Sequence, residues 1–160
     1  MAAAPEAPAR SAIPSLRDED GGFRDLVEES QQGILIHRNW RPAFGNQALA
    51  RIFGFSDVDE IVKLKSVREL YAMHEHERLK LFNEARFAGN AAPEIYEFEE
   101  FRADGEQIWV QTSVRIVTWN GEPATQHWLT DVTEARQRAV AEDKPLVIFT
   151  AADGSPLGRT

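Results

Sequence analysis

Four histidines carry most of the side-chain chemistry that this sequence can perform near neutral pH. His74 and His76 form a His-x-His pair, and imidazole nitrogens at that spacing can bind a metal ion. The surrounding residues, HEHER, do not match the His-Glu-x-x-His zinc motif, and no third ligand accompanies them. We therefore predict no metal site.

The other two histidines, His37 and His127, fall in segments rich in β-branched and aromatic residues, which are typical of strands. A buried imidazole needs a hydrogen-bond partner, and Glu100 is a candidate partner for His127. Three interpretations of His127 stay open: a structural hydrogen-bonded pair, a sheet edge open to water, or contact with a ligand. His37 is either a solvent-exposed strand end or a functional residue.

Composition excludes several classes of function. The chain has 160 residues, enough for one globular domain with a core, and a formal net charge of −8, which argues against nucleic-acid binding. It contains no cysteine, which excludes disulfides, thiolate metal sites, cysteine nucleophiles and cofactors attached through a thiol. No apolar run approaches the ~18 residues of a membrane helix, so we expect a soluble, cytoplasmic protein without membrane contact.

The first half of the chain alternates helix and strand signals. Residues 1–20 contain three prolines and few large apolar groups, which predicts a disordered tail or linker. A short amphipathic helix is predicted from Phe23, followed by a hairpin of residues 33–38 and 41–46. Asn46 stands just before a helical apolar pattern that ends at Gly54, so we expect its side chain to cap that helix and tether the hairpin, and Asn46→Ala to cost about 1 kcal/mol.

The second half of the chain reads as short helical turns, one longer helix and a run of strands. Short turns are predicted over 56–71 and a helix over 74–90. Asp-Gly and Asn-Gly turns then separate three predicted antiparallel strands, at 94–102, 108–119 and 124–132. Asp131 and Glu134 have the spacing of a capping box at the start of a final helix. One more strand is predicted at 146–150, followed by a frayed end.

These elements, in this order, resemble a PAS domain of the S-box sensor type over roughly residues 23 to 138. The specific pieces are Asn46 followed by Phe53-Gly54-Phe55, the Ala-Asp-Gly turn followed by Ile108-Trp109, and the sequence DVTEAR at the strand-to-helix exit. Each piece alone is a weak signal, but three in the right order make a strong one.

The resemblance implies an α+β PAS fold: a five-stranded antiparallel sheet of order 2-1-5-4-3, with helices packed on one face and flanking N- and C-terminal helices. The implied division is a tail at 1–20, a PAS domain at 21–140 and an extension at 141–160. Such domains sense small ligands, dimerise, and relay a signal through the exit helix to a histidine kinase, a cyclic-di-GMP enzyme or a similar effector. No effector is encoded here, so we interpret the chain as non-enzymatic, and as either a fragment of a larger sensor or a stand-alone protein that acts in trans.

The identity of any cofactor stays unknown at this stage. Flavin photoreceptors of the LOV type and proteins with a coumaroyl chromophore both need a cysteine, and the chain has none. Haem-binding members use a helical histidine as an axial ligand, but a histidine at the position of His74 is common in members that bind no haem. We therefore expect no haem.

The alternation of side chains along the predicted strands, combined with the resemblance, indicates which residues face the pocket between sheet and helices. The ligand-pocket candidates are Tyr96, Phe98, Glu100, Val110, Thr112, Val114, His127, Leu129, Leu49 and Phe53. The outer face is too apolar to be left in water, and the candidates for a homodimer contact are Phe23, Leu26, Trp109 and Trp128. The signal junction is predicted at Asp131 and Glu134.

Glu97 and Glu99 alternate with apolar residues, which is typical of a solvated strand face, so we predict no catalytic residues. Two other classes of function stay open beside the sensor: a ligand-free PAS scaffold for dimerisation or protein docking, and a small α+β enzyme with a cone-shaped cavity. A hairpin that precedes most of the helices argues against the enzyme.

Overall fold

A computed structural model describes residues 22–145 of the chain, and the side chains from residue 25 onward. The predicted tail at 1–20, strand at 146–150 and frayed end lie outside the described residues. The described helices are α1 (Gly22–Glu29), α2 (Gln47–Phe53), α3 (Val58–Val62), α4 (His76–Phe87) and α5 (Thr133–Ala141). The strands are β1 (Gly33–Arg38), β2 (Arg41–Gly45), β3 (Ile95–Phe101), β4 (Gln107–Trp119) and β5 (Glu122–Asp131).

The five strands form one antiparallel sheet in the order β2-β1-β5-β4-β3, which confirms the predicted topology. The long β4 and β5 turn back on each other at Asn120 and Gly121, whose φ angles of 49° and 80° are those that an Asn-Gly hairpin requires. Because β5 pairs with both β1 and β4, it runs through the centre of the sheet. Residues from both halves of the chain therefore meet on β5.

Asn46 joins the first hairpin to α2. Its Oδ1 accepts hydrogen bonds from the amides of Leu49 and Ile34, at 3.1 and 2.8 Å, and its Nδ2 donates to the carbonyls of Val27 and Gln32. Asn46 is fully buried. The predicted helix cap is confirmed, and the same side chain also holds α1 and β1 in place.

A single apolar core fills the space between one face of the sheet and the helices α2 to α4. Inward-facing residues of β3, β4 and β5 alternate with exposed ones, as the strand period of two requires. They pack against Leu49 and Phe53 of α2, Ile61 of α3 and Leu79 of α4. Among the described residues, no helix is both long and apolar enough to cross a membrane.

The helix predicted over 74–90 is shorter than expected. A 3-10 turn at Met73–Glu75 precedes α4, and the first helical residue is His76. Leu79 is the only fully buried side chain of α4, whereas Leu81 and Phe87 are 55% and 46% exposed. The apolar contacts of this helix with the core are made by Leu79 and by the partly buried Phe82.

Candidate functional site

Two histidines from distant parts of the chain meet in the core. His37 of β1 pairs with Thr125 in the sheet register, which places His127 of β5 diagonally beside it on the same face. The Nε2 atoms of the two rings are 3.1 Å apart, and the ring centroids are 5.1 Å apart. His127 Nδ1 lies 3.2 Å from Thr112 Oγ1 on β4. The three side chains thus form a hydrogen-bonded chain across three neighbouring strands.

Burial holds both imidazoles in the neutral form. His37 and His127 are 1% and 4% exposed. Loss of hydration, reinforced by the nearby Arg86 cation, lowers the pKa of His37 to about 4. Burial, together with His37 and Arg86, lowers the pKa of His127 well below its ordinary value. A neutral imidazole has one N–H and one lone pair, so each ring can donate one hydrogen bond and accept another.

The hydrogen-bonded chain has two proton arrangements, and both leave His37 Nδ1 without a partner among the residues that the structure describes. In the first, His37 donates to His127, and His127 donates to Thr112. In the second, Thr112 donates to His127, His127 donates to His37, and His37 Nδ1 carries a proton. His37 can therefore offer either a lone pair or an N–H to another molecule.

A small cavity of about 10 Å³ lies beside the two histidines, which is room for about one water molecule. Sheet residues supply one side, and α4 and the loops around it supply the other. The lining residues are His37, Trp40, Tyr71, Leu79, Asn83, Arg86, Tyr96, Phe98 and His127. Sequence patterns indicated only Tyr96, Phe98 and His127 as pocket residues, with His37 as a possible functional residue.

Helix α4 presents three cavity residues from one face, because Leu79, Asn83 and Arg86 are spaced by four and three positions. Asn83 Oδ1 accepts a hydrogen bond from Thr125 Oγ1 at 2.9 Å. The Arg86 guanidinium donates to the carbonyl of Pro93 at 2.6 Å and, weakly, to that of Phe82 at 3.5 Å. The Arg86 guanidinium therefore gives the α4 side of the cavity a positive charge.

Trp40 closes the cavity from the β1–β2 turn. Its φ of 66° lies in the left-handed region, which is unfavourable for an aromatic residue. The indole stacks on the His37 ring at a centroid distance of 5.2 Å, and the guanidinium carbon of Arg68 lies 4.5 Å from the centre of the Trp40 ring. These contacts hold Trp40 in its strained conformation. No sequence signal pointed to this role, because the turn pattern predicted only a change of direction.

The remaining pocket candidates are buried but lie away from the cavity lining. Thr112 reaches it only through His127. The others belong to the core between sheet and helices: Glu100, Val110, Val114, Leu129, Leu49 and Phe53. His74 is exposed and pairs with Glu99, and the ring of His76 contacts the carbonyl of Tyr71, so neither histidine lines the cavity. No group of three potential metal ligands occurs among residues that the structure describes.

Two expectations about buried polar groups are wrong. His37 is not a solvent-exposed strand end, because β5 and Trp40 cover it. Glu100 is not the partner of His127, whose nitrogens face His37 and Thr112 instead. The Glu100 carboxylate is fully buried, and neither oxygen has a hydrogen-bond partner among the described residues. Burial, with contributions from Asp131 and Glu75, raises the pKa of Glu100 well above its ordinary value.

The predicted capping box at the start of α5 does not form as a reciprocal pair, although Asp131 accepts a hydrogen bond from a main-chain amide as expected. The helix is preceded by Val132, which makes no side-chain cap, and Glu134 points to solvent, with its carboxylate 3.9 Å from Arg138. Asp131 also forms an ion pair with a residue distant in sequence: its Oδ2 lies 2.8 Å from the Arg102 guanidinium. Its Oδ1 accepts a hydrogen bond from the Thr133 amide. Partial burial acts to raise the pKa of Asp131, but these bonds outweigh it and the pKa is lowered.

The outer face of the sheet is covered in part by the chain itself. The Arg136 guanidinium of α5 lies 3.9 Å from the centre of the Trp109 ring, and Arg136 also pairs with Glu97. Trp128 is half-buried, and Leu26 of α1 is 71% exposed. The side chain of Phe23 lies outside the described residues.

The histidine pair predicts a loss of stability in acid. The folded protein keeps His37 neutral down to about pH 4, whereas the unfolded chain takes up that proton near pH 6.5, so the free energy of unfolding falls as the pH falls between these values. We expect His37 to contribute a loss of roughly 3 kcal/mol between pH 7 and pH 4. Urea unfolding of the wild type and of His37→Gln at both pH values measures it.

In that experiment, His74→Gln serves as the control, because His74 is exposed and its replacement should keep the wild-type slope. A His37→Gln variant with the same acid sensitivity as the wild type would contradict the prediction.

Comparison with known proteins agrees with this architecture. The family model described as a PAS domain matches residues 32–134. A PAS domain of a Desulfitobacterium hafniense protein is 19% identical, with a TM-score of 0.56, covering 67% of this chain and 98% of that one. A sensory box histidine kinase/response regulator from Burkholderia thailandensis is 16% identical, with a TM-score of 0.55, covering 76% and 92%.

An RNA-binding light-oxygen-voltage receptor is also similar, at 20% identity and a TM-score of 0.61, covering 86% of this chain and 40% of that receptor. Comparison with curated proteins finds no match. The family match spans more than half of the chain, and the sheet order and helix placement are those expected from the sequence motifs. The chain belongs to the PAS domain family.

Proposed function

We propose that this chain is the sensory module of a bacterial-type, cytoplasmic signal-transduction protein and binds a small ligand in the cavity between α4 and the sheet. The observation that carries the proposal is the buried polar lining: His37 borders an open space, and its Nδ1 has no hydrogen-bond partner among the described residues. A buried polar group without a hydrogen-bond partner lowers the stability of the folded protein, so such a group is not expected in a core with only a structural role. A ligand that hydrogen-bonds to them would offset their desolvation.

The proposed output runs through β5 into α5. Asp131 connects the end of β5 to Arg102 after β3 and to the start of α5, so movement of β5 at His127 is transmitted to the helix. Glu134 lies on the exposed face of α5, where a partner can reach it. The effector, a histidine kinase or a cyclic-di-GMP enzyme, acts in cis or in trans, and the PAS module itself is not catalytic.

Native mass spectrometry of the freshly purified chain, together with its visible absorption, tests the sensory proposal. We expect a small molecule of defined mass to be retained by the wild type and lost on denaturation. Replacing Trp40 with alanine should weaken retention, whereas replacing Phe87, which is exposed at the end of α4, should not.

The small cavity volume favours one alternative function, a ligand-free scaffold. A space of about 10 Å³ holds no molecule larger than water unless α4 moves. If native mass spectra show the bare chain only, and no small molecule shifts its melting temperature, the scaffold is the better account.

We also propose homodimerisation through the outer face of the sheet, near Trp109 and Trp128. Phe101 and Ile95, at the edge strand on this face, are 46% and 37% exposed, and large apolar side chains are typical of interface centres. Phe101→Glu should shift the sedimentation profile from dimer to monomer. Leu81→Glu, on the exposed surface of α4, should leave the dimer intact, and a wild type that is monomeric at high concentration would contradict the proposal.

A further inference from the structure

We propose that the cavity recognises the carboxylate of a small organic acid, with Arg86 as the charged partner. This inference rests on the proposed sensory function and specifies its ligand class. It follows from the charge of the lining, from the direction of its hydrogen bonds and from its size.

The lining has one positive charge and no negative one. Arg86 is the only charged residue among the groups that surround the cavity, since the two histidines and the two tyrosines there are neutral. Its guanidinium bonds only to main-chain carbonyls and makes no ion pair with a described residue. Burial lowers the pKa of Arg86, and Tyr96 and Glu94 oppose that shift; Glu94 is exposed and does not line the cavity. A buried site with this balance favours an anion.

Several polar groups of the lining can donate hydrogen bonds to a ligand. Asn83 has its oxygen occupied by the Thr125 hydroxyl, which leaves the amide N–H groups for a ligand. Arg86 has donors beyond the two that bind carbonyls, and Tyr71 and Tyr96 each carry a hydroxyl. An ionised carboxylate only accepts hydrogen bonds, so it complements this set.

The hydrogen-bonded chain of His37, His127 and Thr112 can add one more donor while both imidazoles stay neutral. When Thr112 donates to His127 and His127 donates to His37, the proton on His37 Nδ1 is free for the ligand. A bound carboxylate would select this tautomer. In the other proton arrangement, His37 Nδ1 presents a lone pair to a ligand that donates a hydrogen bond.

The size of the cavity limits the ligand and indicates how it enters. About 10 Å³ is too little for a carboxylate, so α4 must shift outward when the ligand binds. This helix contacts the core through Leu79, which is fully buried, and through the partly buried Phe82, which packs edge-on against Tyr96, so its displacement breaks the contacts of these apolar side chains. The side chains of Leu79 and Phe98 form an apolar part of the lining that can contact a short alkyl chain. The expected class is therefore a monocarboxylic acid of a few carbon atoms.

Matched pairs of acids and amides test the ligand class directly. Acetate and acetamide, and propionate and propionamide, are titrated into the full chain while the nitrogen signals of its four histidines are followed by NMR. We expect the carboxylates to shift His37 and His127 but not the exposed His74, with at least tenfold weaker binding of the amides. His37 Nδ1 should take the protonated form on binding.

Substitution of the cation completes the test. Arg86→Gln should weaken carboxylate binding at least tenfold and leave amide binding unchanged, because glutamine keeps a hydrogen-bond donor but loses the charge that strengthens the contact with a carboxylate. Arg86→Lys keeps the charge and should retain the preference for acids. Lys80→Gln removes a charge from the same helix outside the cavity and should have no effect.

Equal binding of acids and amides, or carboxylate binding that is insensitive to Arg86, would overturn the ligand class while leaving the sensory proposal in place. Failure of all four compounds to shift His37 and His127 would also overturn the ligand class. The sensory proposal itself fails only if native mass spectra and melting temperatures show no small molecule of any kind.

Discussion

Replacing Asn46 with alanine is expected to lower the free energy of unfolding by about 3 kcal/mol, which is well above the effect of losing a helix cap alone. The fully buried side chain makes four hydrogen bonds, to the amides of Ile34 and Leu49 and to the carbonyls of Val27 and Gln32. Alanine removes all four bonds from a site closed to water, although the Leu49 amide still donates to the Asn46 carbonyl, and the carbonyls of Val27 and Gln32 still accept from Ser30. Each lost hydrogen bond contributes about 1 kcal/mol to stability.

Urea unfolding of Asn46→Ala measures the effect, and the neighbouring Gln47→Ala provides a matched control. Gln47 is only half-buried, and its side chain bridges the carbonyl of Ser56 and the amide of Val58. We expect the control to lose less than about 1 kcal/mol. An Asn46→Ala variant as stable as the control would show that water enters and replaces the lost bonds.

Replacing Glu100 with methionine is expected to stabilise the protein by about 2 kcal/mol at pH 8. Glu100 is 0% exposed, neither carboxylate oxygen has a partner among the described residues, and Asp131 and Glu75 add negative charge nearby. Methionine has a similar length and no group that must be desolvated. The core around it can therefore keep its packing.

The stabilisation by Glu100→Met should increase as the pH rises. Because burial raises the pKa of Glu100 in the folded state, the unfolded chain releases this proton at a lower pH than the folded protein does. The wild type therefore loses stability as the pH rises above about 4.5, and Glu100→Met lacks that loss. Stability curves of both proteins between pH 4 and pH 8 should diverge with rising pH.

The exposed Glu94 supplies the control for this prediction, since Glu94→Met removes a carboxylate that water already solvates. We expect no change in the pH slope of that variant. If Glu100→Met is instead less stable than the wild type at pH 8, the carboxyl group has a hydrogen-bond partner such as a bound water molecule. The buried carboxyl group then stabilises the fold.

Local signals in the sequence determined the elements and their order. The Asn-Gly turn places β4 beside β5, Asn46 begins α2, and Gly54 ends it in the left-handed conformation. The alternation of apolar and polar residues, combined with the resemblance, identified the buried faces of β3, β4 and β5 correctly. These features depend on residues that are neighbours in sequence, so a single chain is enough to predict them, and together they identified the PAS fold.

Tertiary structure alone decided which polar groups meet. His37 and His127 are 90 positions apart, and the register of β1 on β5 places their rings in contact. Asn83 and Arg86 could not be assigned to the cavity, because α4 mixes buried and exposed apolar residues and its pattern did not indicate a single inner face. Asp131 has the sequence spacing of a capping box, but Arg102, 29 positions away, competes for its carboxylate. Local sequence predicts local hydrogen bonds, whereas the partners of a buried polar side chain depend on strand register and helix placement, which the packing of the whole chain determines.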